Sequence, residues 1–166
     1  MNVKIEVKGM NEVEKFLKTL PDEVSRKMLY GALMGGATPI MQQARMNVLR
    51  NFGRSVRYTY TLEQAVVRGR SKKTGLAARV NVMIKRGKVK GKTVKYGVTK
   101  PYGDDAFYGR FLEFGTSKMA AKPFLRPAAD AKAGESAKRF NGTILKRMAK
   151  WCKQNGVTYR PSGGAL

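Results

Sequence analysis

YGRFLEFGTSKMAAKPFLRPAAD, from Tyr108 to Asp130, concentrates the strongest local signals in the sequence. Phe107, Tyr108, Phe111, Leu112 and Phe114 form a dense aromatic and apolar run, broken by Gly109, Arg110 and Glu113, and such a run calls for burial. Gly115 ends it, because glycine permits positive φ, and Thr116 and Ser117 open a loop whose hydroxyls can bond nearby backbone. Pro123 forces Lys122 into an extended conformation, Pro127 does the same to Arg126, and Pro127 also suits the first position of a helix. The segment therefore reads as a buried piece, a loop, a bridge held between two prolines, and a helix. Phe124 and Leu125, fixed between those prolines, are expected to anchor the loop in the core. Glu113 is costly to bury alone among Phe111, Leu112 and Phe114, so it should pair with Arg110 or Arg126 or project to solvent.

Tyr108, then Phe111-Leu112-Glu113-Phe114-Gly115-Thr116, a short polar loop, and Pro123-Phe124-Leu125-Arg126-Pro127-Ala128 resemble in order and spacing the signature of a tail-component family of long-tailed bacteriophages. The rest of the chain is similar to that family only in outline. The resemblance implies a tail terminator or head-tail joining protein of the virion neck, assembled in the host cytoplasm. It would work as a homo-oligomeric ring, a hexamer by the same analogy, between the tail-tube protein and a head-completion or stopper protein, with genomic double-stranded DNA passing through its lumen. On that footing Tyr108, Arg110, Phe111, Glu113, Phe114, Gly115, Thr116, Pro123, Phe124, Arg126 and Pro127 are the candidates for subunit contacts. Glu113 then has a second expected role, an ion pair across a subunit boundary that fixes ring register.

Outward toward the N-terminus, Val3, Ile5 and Val7 alternate with Lys4, Glu6 and Lys8, which predicts a short half-buried strand ended by Gly9. Asn11 can cap a helix carrying Val13, Phe16, Leu17 and Leu20, closed by Pro21. A longer helix follows from about Asp22, where Val24, Met28, Ala32 or Leu33, Ala37, Ile40 or Met41, Ala44 and Val48 make one apolar stripe. Gly35, Gly36 and Pro39 lie inside it and predict a kink or short break, either as a tolerated bend or as a place of close approach to a neighbouring subunit.

The middle of the chain is β-rich and basic. Ser55 to Thr61 is β-prone, and Leu62 to Val67 fits either a strand or a helical turn. Ala78 to Ile84 and Thr93 to Val98 read as strands joined by a hairpin at Arg86 to Lys92. Between Glu63 and Asp104 there is no acidic residue, while Arg68, Arg70, Lys72, Lys73, Arg79, Lys85, Arg86, Lys88, Lys90, Lys92, Lys95 and Lys100 are all present. Such a run could line a channel and meet phosphates, grip an acidic protein surface, or form a solvated loop face. Lysine exceeds arginine and aromatics are few, which argues against stacking on single-stranded bases.

Beyond the central stretch, Ala133, Ala137, Phe140, Ile144, Met148 and Trp151 recur at helical spacing with basic residues on the other faces, and Asn155-Gly156 is a stop signal. Gly142 is expected to weaken or bend this helix. Val157 to Tyr159 reads as an edge strand and 161–166 as a loose tail.

Whole-chain composition bounds the remainder. A length of 166 residues with 42% hydrophobic content predicts one domain, 1–160, with a real core. No apolar run approaches the roughly 18 residues that span a bilayer, and no signal-peptide pattern opens the chain, so no membrane partner is expected. Lys and Arg total 34 against 11 Asp and Glu, a net charge of +23 that attracts polyanions or acidic proteins. Histidine is absent and Cys152 is the one cysteine, which leaves no Ser-His-Asp triad, no Cys-His pair and no ordinary zinc ligand set. Cys152 reads as a packed helix residue. No cofactor, metal or catalytic site is expected. The expected fold is α+β, an antiparallel β-sheet packed against two principal α-helices with a long basic hairpin. The alternative to the neck reading is a basic nucleic-acid-binding protein acting through residues 68–100.

Overall fold

Two long antiparallel helices carry the fold of this computed structural model, which describes residues 10–53, 61–71, 78–85 and 106–157. In chain order the elements are α1 (Met10–Lys18), α2 (Asp22–Phe52), α3 (Thr61–Ala65), β1 (Val66–Arg70), β2 (Val80–Ile84), α4 (Gly109–Phe114) and α5 (Leu125–Gln154). The architecture is α+β: α2 and α5 make the largest contact between any two elements, and a two-stranded antiparallel sheet packs on α2. The strands expected at Val3–Val7 and Thr93–Val98, the hairpin at Arg86–Lys92 and the tail 161–166 lie outside the described residues.

Pro21 separates the first two helices. It cannot continue α1, and its carbonyl accepts the N–H groups of Val24 and Ser25, both at 3.0 Å, as α2 begins. Asp22 and Glu23 stand in the first turn of α2, where the helix dipole favours negative charge. The expected break at Gly35, Gly36 and Pro39 does not occur: α2 runs unbroken for 31 residues. The Arg68 guanidinium, reaching over from β1, donates to the Met34 carbonyl and to Thr38 Oγ1, which supplies donors beside the position where Pro39 lacks one.

The glycines of α2 do mark a close approach, but to α5 of the same chain. A Cβ at Gly36 would lie 3.1 Å from both Phe140 Cβ and the Ser136 carbonyl oxygen, and one at Gly35 would lie 2.9 Å from Thr143 Oγ1. At Gly31 it would run into the guanidinium of Arg147. Ser136 Oγ uses this proximity to donate to the Gly36 carbonyl at 2.7 Å.

Two apolar clusters sit at opposite ends of the α2–α5 pair. One joins Val13 and Leu20, Met28 and Ala32 of α2, and Ile144 and Met148 of α5, with Phe16 edge-on to Trp151 at 5.9 Å. The other joins Ala44 and Val48 of α2 to Leu62, Ala65, Val66, Ala106, Phe124 and Ala128. Leu62 to Val67 proves to be both of its expected alternatives, a turn of helix running directly into a strand. β1 pairs β2 with Val66 opposite Ile84 and Arg70 opposite Val80, and Arg45 Nε and Nη2 both donate to the Val66 carbonyl at 3.1 and 2.9 Å. α5 runs straight through Gly142 and ends where expected, with Gly156 at φ 67° and the Val157 N–H returning to the Cys152 carbonyl. Cys152 is buried on that helix.

Candidate functional site

α5 begins at Leu125, two residues before the expected start at Pro127, and the early start creates a problem of unsatisfied donors. The first N–H groups of any helix have no intrahelical acceptor, and here the N-cap position is Phe124, which has no side-chain oxygen. Glu113 solves it. Its Oε2 accepts the Phe124 and Leu125 N–H groups at 2.8 and 3.0 Å, and its Oε1 accepts that of Arg126 at 3.2 Å. The next residue, Pro127, has no N–H to satisfy. A carboxylate with 3% exposure is thereby neutralised by three backbone dipoles at the positive end of a 30-residue helix. The ion pair expected with Arg110 or Arg126 does not form. Arg126 contributes its backbone N–H, while its guanidinium lies over the Phe114 ring at 5.2 Å.

The connection between α4 and α5 is held as tightly. Gly115 adopts φ 76°, and a side chain there would meet the Met119 carbonyl and the Ala121 N–H at 2.9 Å. Thr116 and Met119 exchange backbone hydrogen bonds, the Lys118 N–H reaches Thr116 Oγ1, and the Lys122 N–H returns to the Leu112 carbonyl at 2.8 Å. Phe124 is fully buried, as expected, and its carbonyl accepts Asn47 Nδ2 of α2 at 3.1 Å. The expected motif residues thus come together as one clamped unit of α4, turn and α5. Pro123 and Pro127 lie on its surface, and Tyr108 is half-buried against the core.

The aromatic run is not buried as expected. Phe107, Phe111 and Phe114 are 58%, 49% and 63% exposed. A helix of six residues can turn only one face inward, and Gly109, Leu112 and Glu113 take it. Gly109 sits so close to the core that a Cβ would lie 2.6 Å from Leu62 Cδ1 and 2.9 Å from Ile84 Cδ1. The three phenylalanines, spaced i, i+4 and i+7, form a ridge on the opposite face, with Phe107 edge-on to Phe111 at 6.5 Å. Exposed Arg110, Lys118, Lys122 and Arg126 accompany the ridge, and Glu113 is the only carboxylate between Ala106 and Ala129. The outer surface of this unit is therefore aromatic and cationic.

The basic candidates divide. Arg68 is spent on α2, as described, and Arg70 lies over the Tyr30 ring at 5.0 Å, so both fasten the sheet to the helix. Lys85 is exposed at the end of β2. Lys72, Lys73, Arg86, Lys88, Lys90, Lys92 and Lys95 lie outside the described residues.

Two open grooves accompany the ridge. One of about 880 Å³ runs between α2, β2 and α5 over Leu33, Ala37, Ile40, Val82 and Phe140. Another of about 520 Å³ lies between α1 and α2, over Val13, Leu17, Leu20 and Leu29, with Glu14 and Asp22 on its rim. The rim carboxylates are exposed. Lys18 reaches Glu14 at 2.7 Å and, by hydrogen bond and then by charge, holds its carboxyl below the ordinary value, while Arg26 stands 3.9 Å from Asp22. Among the described residues no group of three His, Cys, Asp or Glu side chains is arranged to hold a metal ion. What the arrangement offers is surface: a rigid aromatic ridge and apolar grooves. Comparison with protein-family models, with curated proteins and with solved structures returns no match for this chain.

Proposed function

We propose that the chain is a structural component of the neck of a long-tailed bacteriophage. In this reading it forms a ring that caps the tail tube, stops its polymerisation and joins the tail to the head-completion proteins around the DNA channel. The observation that carries the proposal is the clamped unit itself. The residues that resemble the tail-component signature make one rigid body, locked by Glu113, whose outward face is three exposed phenylalanines among cations. Contiguous exposed aromatic surface on a rigid support is the property of a docking protein, because it gives contact area without an ordering cost.

Electron microscopy of a phage lysate lacking this gene tests the proposal directly. Overlong, headless tails are the expected result for a terminator, and normal tails beside separate DNA-filled heads for a joining protein. Unchanged infectious particles would overturn the assignment.

A further inference from the structure

We propose that the aromatic ridge of one copy seats in the α1–α2 groove of another, so that the chain associates with itself head to tail. The ridge has the i, i+4, i+7 spacing with which a helix enters a groove, and all three anchors are already exposed and rigidly presented. The groove is the complementary shape, an apolar trough between two helices lined by Val13, Leu17, Leu20 and Leu29.

Charge selects the occupant. The ridge carries Arg110, Lys118 and Arg126 with no exposed carboxylate, so two ridges meeting face to face would bring like charges together. In a chain of +23, a self-contact needs the place where carboxylates gather. Four of the 11 acidic residues, Glu12, Glu14, Asp22 and Glu23, fall at α1 and the start of α2, and Glu14 and Asp22 border this groove.

Position makes the contact heterologous. The ridge adjoins the N-terminus of α5, which packs beside the C-terminal half of α2, whereas the groove lies at the N-terminus of α2. The two surfaces stand most of a 31-residue helix apart, about 45 Å at 1.5 Å per residue, so no copy can satisfy its own groove. Such a contact propagates, closing as a ring or extending as a filament. In naming a second copy as the occupant the proposal rests on the assembly reading above, and it supplies the subunit contact that reading requires.

Sedimentation velocity on the full chain tests it with a mixing experiment. A ridge variant, Phe111→Ser with Phe114→Ser, changes only exposed side chains; a groove variant, Leu17→Arg, fills the trough with a cation. Each alone should be monomeric, with self-affinity lowered about 30-fold or more, as for the loss of central apolar anchors. Mixed, they should form a one-to-one dimer and stop, because each retains the surface that the other lacks. Asp22→Lys, on the exposed rim, should weaken association while leaving the thermal transition near wild type, which covers the case in which Leu17→Arg does not fold. A mixture that stays monomeric, a ridge variant that assembles like wild type, or a wild type monomeric at about 100 μM, where a μM contact would be saturated, overturns the proposal. If the mixed dimer forms while gene deletion leaves particles unchanged, the contact stands and the neck reading falls.

Discussion

Glu113 illustrates how a single side chain can hold a motif together without any charged partner. A lone carboxylate buried in an apolar setting would be expelled or neutralised, yet this one is matched by three N–H donors that a helix start must place somewhere. Glu113→Gln keeps the volume but turns an NH₂ group toward those donors and removes the negative charge from the helix end. The expected loss is about 2 kcal/mol, and Glu113→Lys, which sets a cation against the same dipoles, should prevent folding rather than only assembly. Urea melts of the purified variants measure this; a Gln variant within about 0.5 kcal/mol of wild type would show that the clamp contributes little, since that is the range of neutral surface changes. The cost of burying Glu113 was legible in the sequence, but its partner was not. Arg110 and Arg126 stood nearby in the chain and drew the inference, whereas backbone donors have no letter. One signal did exist: Lys122-Pro123-Phe124-Leu125 contains no Ser, Thr, Asp or Asn, so the following helix needed an acceptor from elsewhere.

At the scale of elements, the same residue type plays opposite parts in the two long helices. Gly36 faces α5 at a distance that excludes a side chain, while a Cβ at Gly134 would meet nothing within 4 Å. Gly134→Ala should therefore stabilise by about 0.5–1 kcal/mol through helix propensity alone. Gly36→Ala gains the same propensity but must push α2 from the backbone of α5, for a net loss of about 1–3 kcal/mol. Thermal melts of the two variants should move in opposite directions, and a parallel shift would mean that the helices are not packed through the glycine stripe. The apolar periodicity of α2 and α5 was readable because a 3.6-residue repeat over about 30 residues leaves little ambiguity. The mistaken break at Pro39 and the mistaken burial of Phe107, Phe111 and Phe114 share a cause. Both depend on tertiary partners: Arg68 arriving from a distant strand in the first case, and Gly109 and Leu112 claiming the inward face of a short helix in the second.

For the whole molecule, charge and apolar surface pull association in different directions, and salt separates them. Two copies at +23 repel over the full Debye length, about 10 Å at 0.1 M salt and 3 Å at 1 M, whereas an aromatic ridge seated in an apolar trough feels little screening. The two carboxylates on the groove rim offset only a fraction of that repulsion. Self-association should accordingly strengthen between 50 and 500 mM salt, a range that follows from the screening lengths. Duplex DNA binding by the basic residues should do the reverse, falling with a slope of about −0.9 per phosphate neutralised. Arg68 and Arg70 are engaged with α2, so of the described basic strand residues Lys85 is left facing solvent, and the slope reports chiefly on lysines of 72–95. Sedimentation and DNA fluorescence anisotropy on one preparation give both slopes. The Phe111→Ser, Phe114→Ser variant should abolish the rising one and leave the falling one untouched, because the ridge meets protein and the basic strands meet phosphate. Self-association that instead collapsed with salt would make the contact electrostatic, and would move the subunit boundary from the phenylalanines to the charges around them.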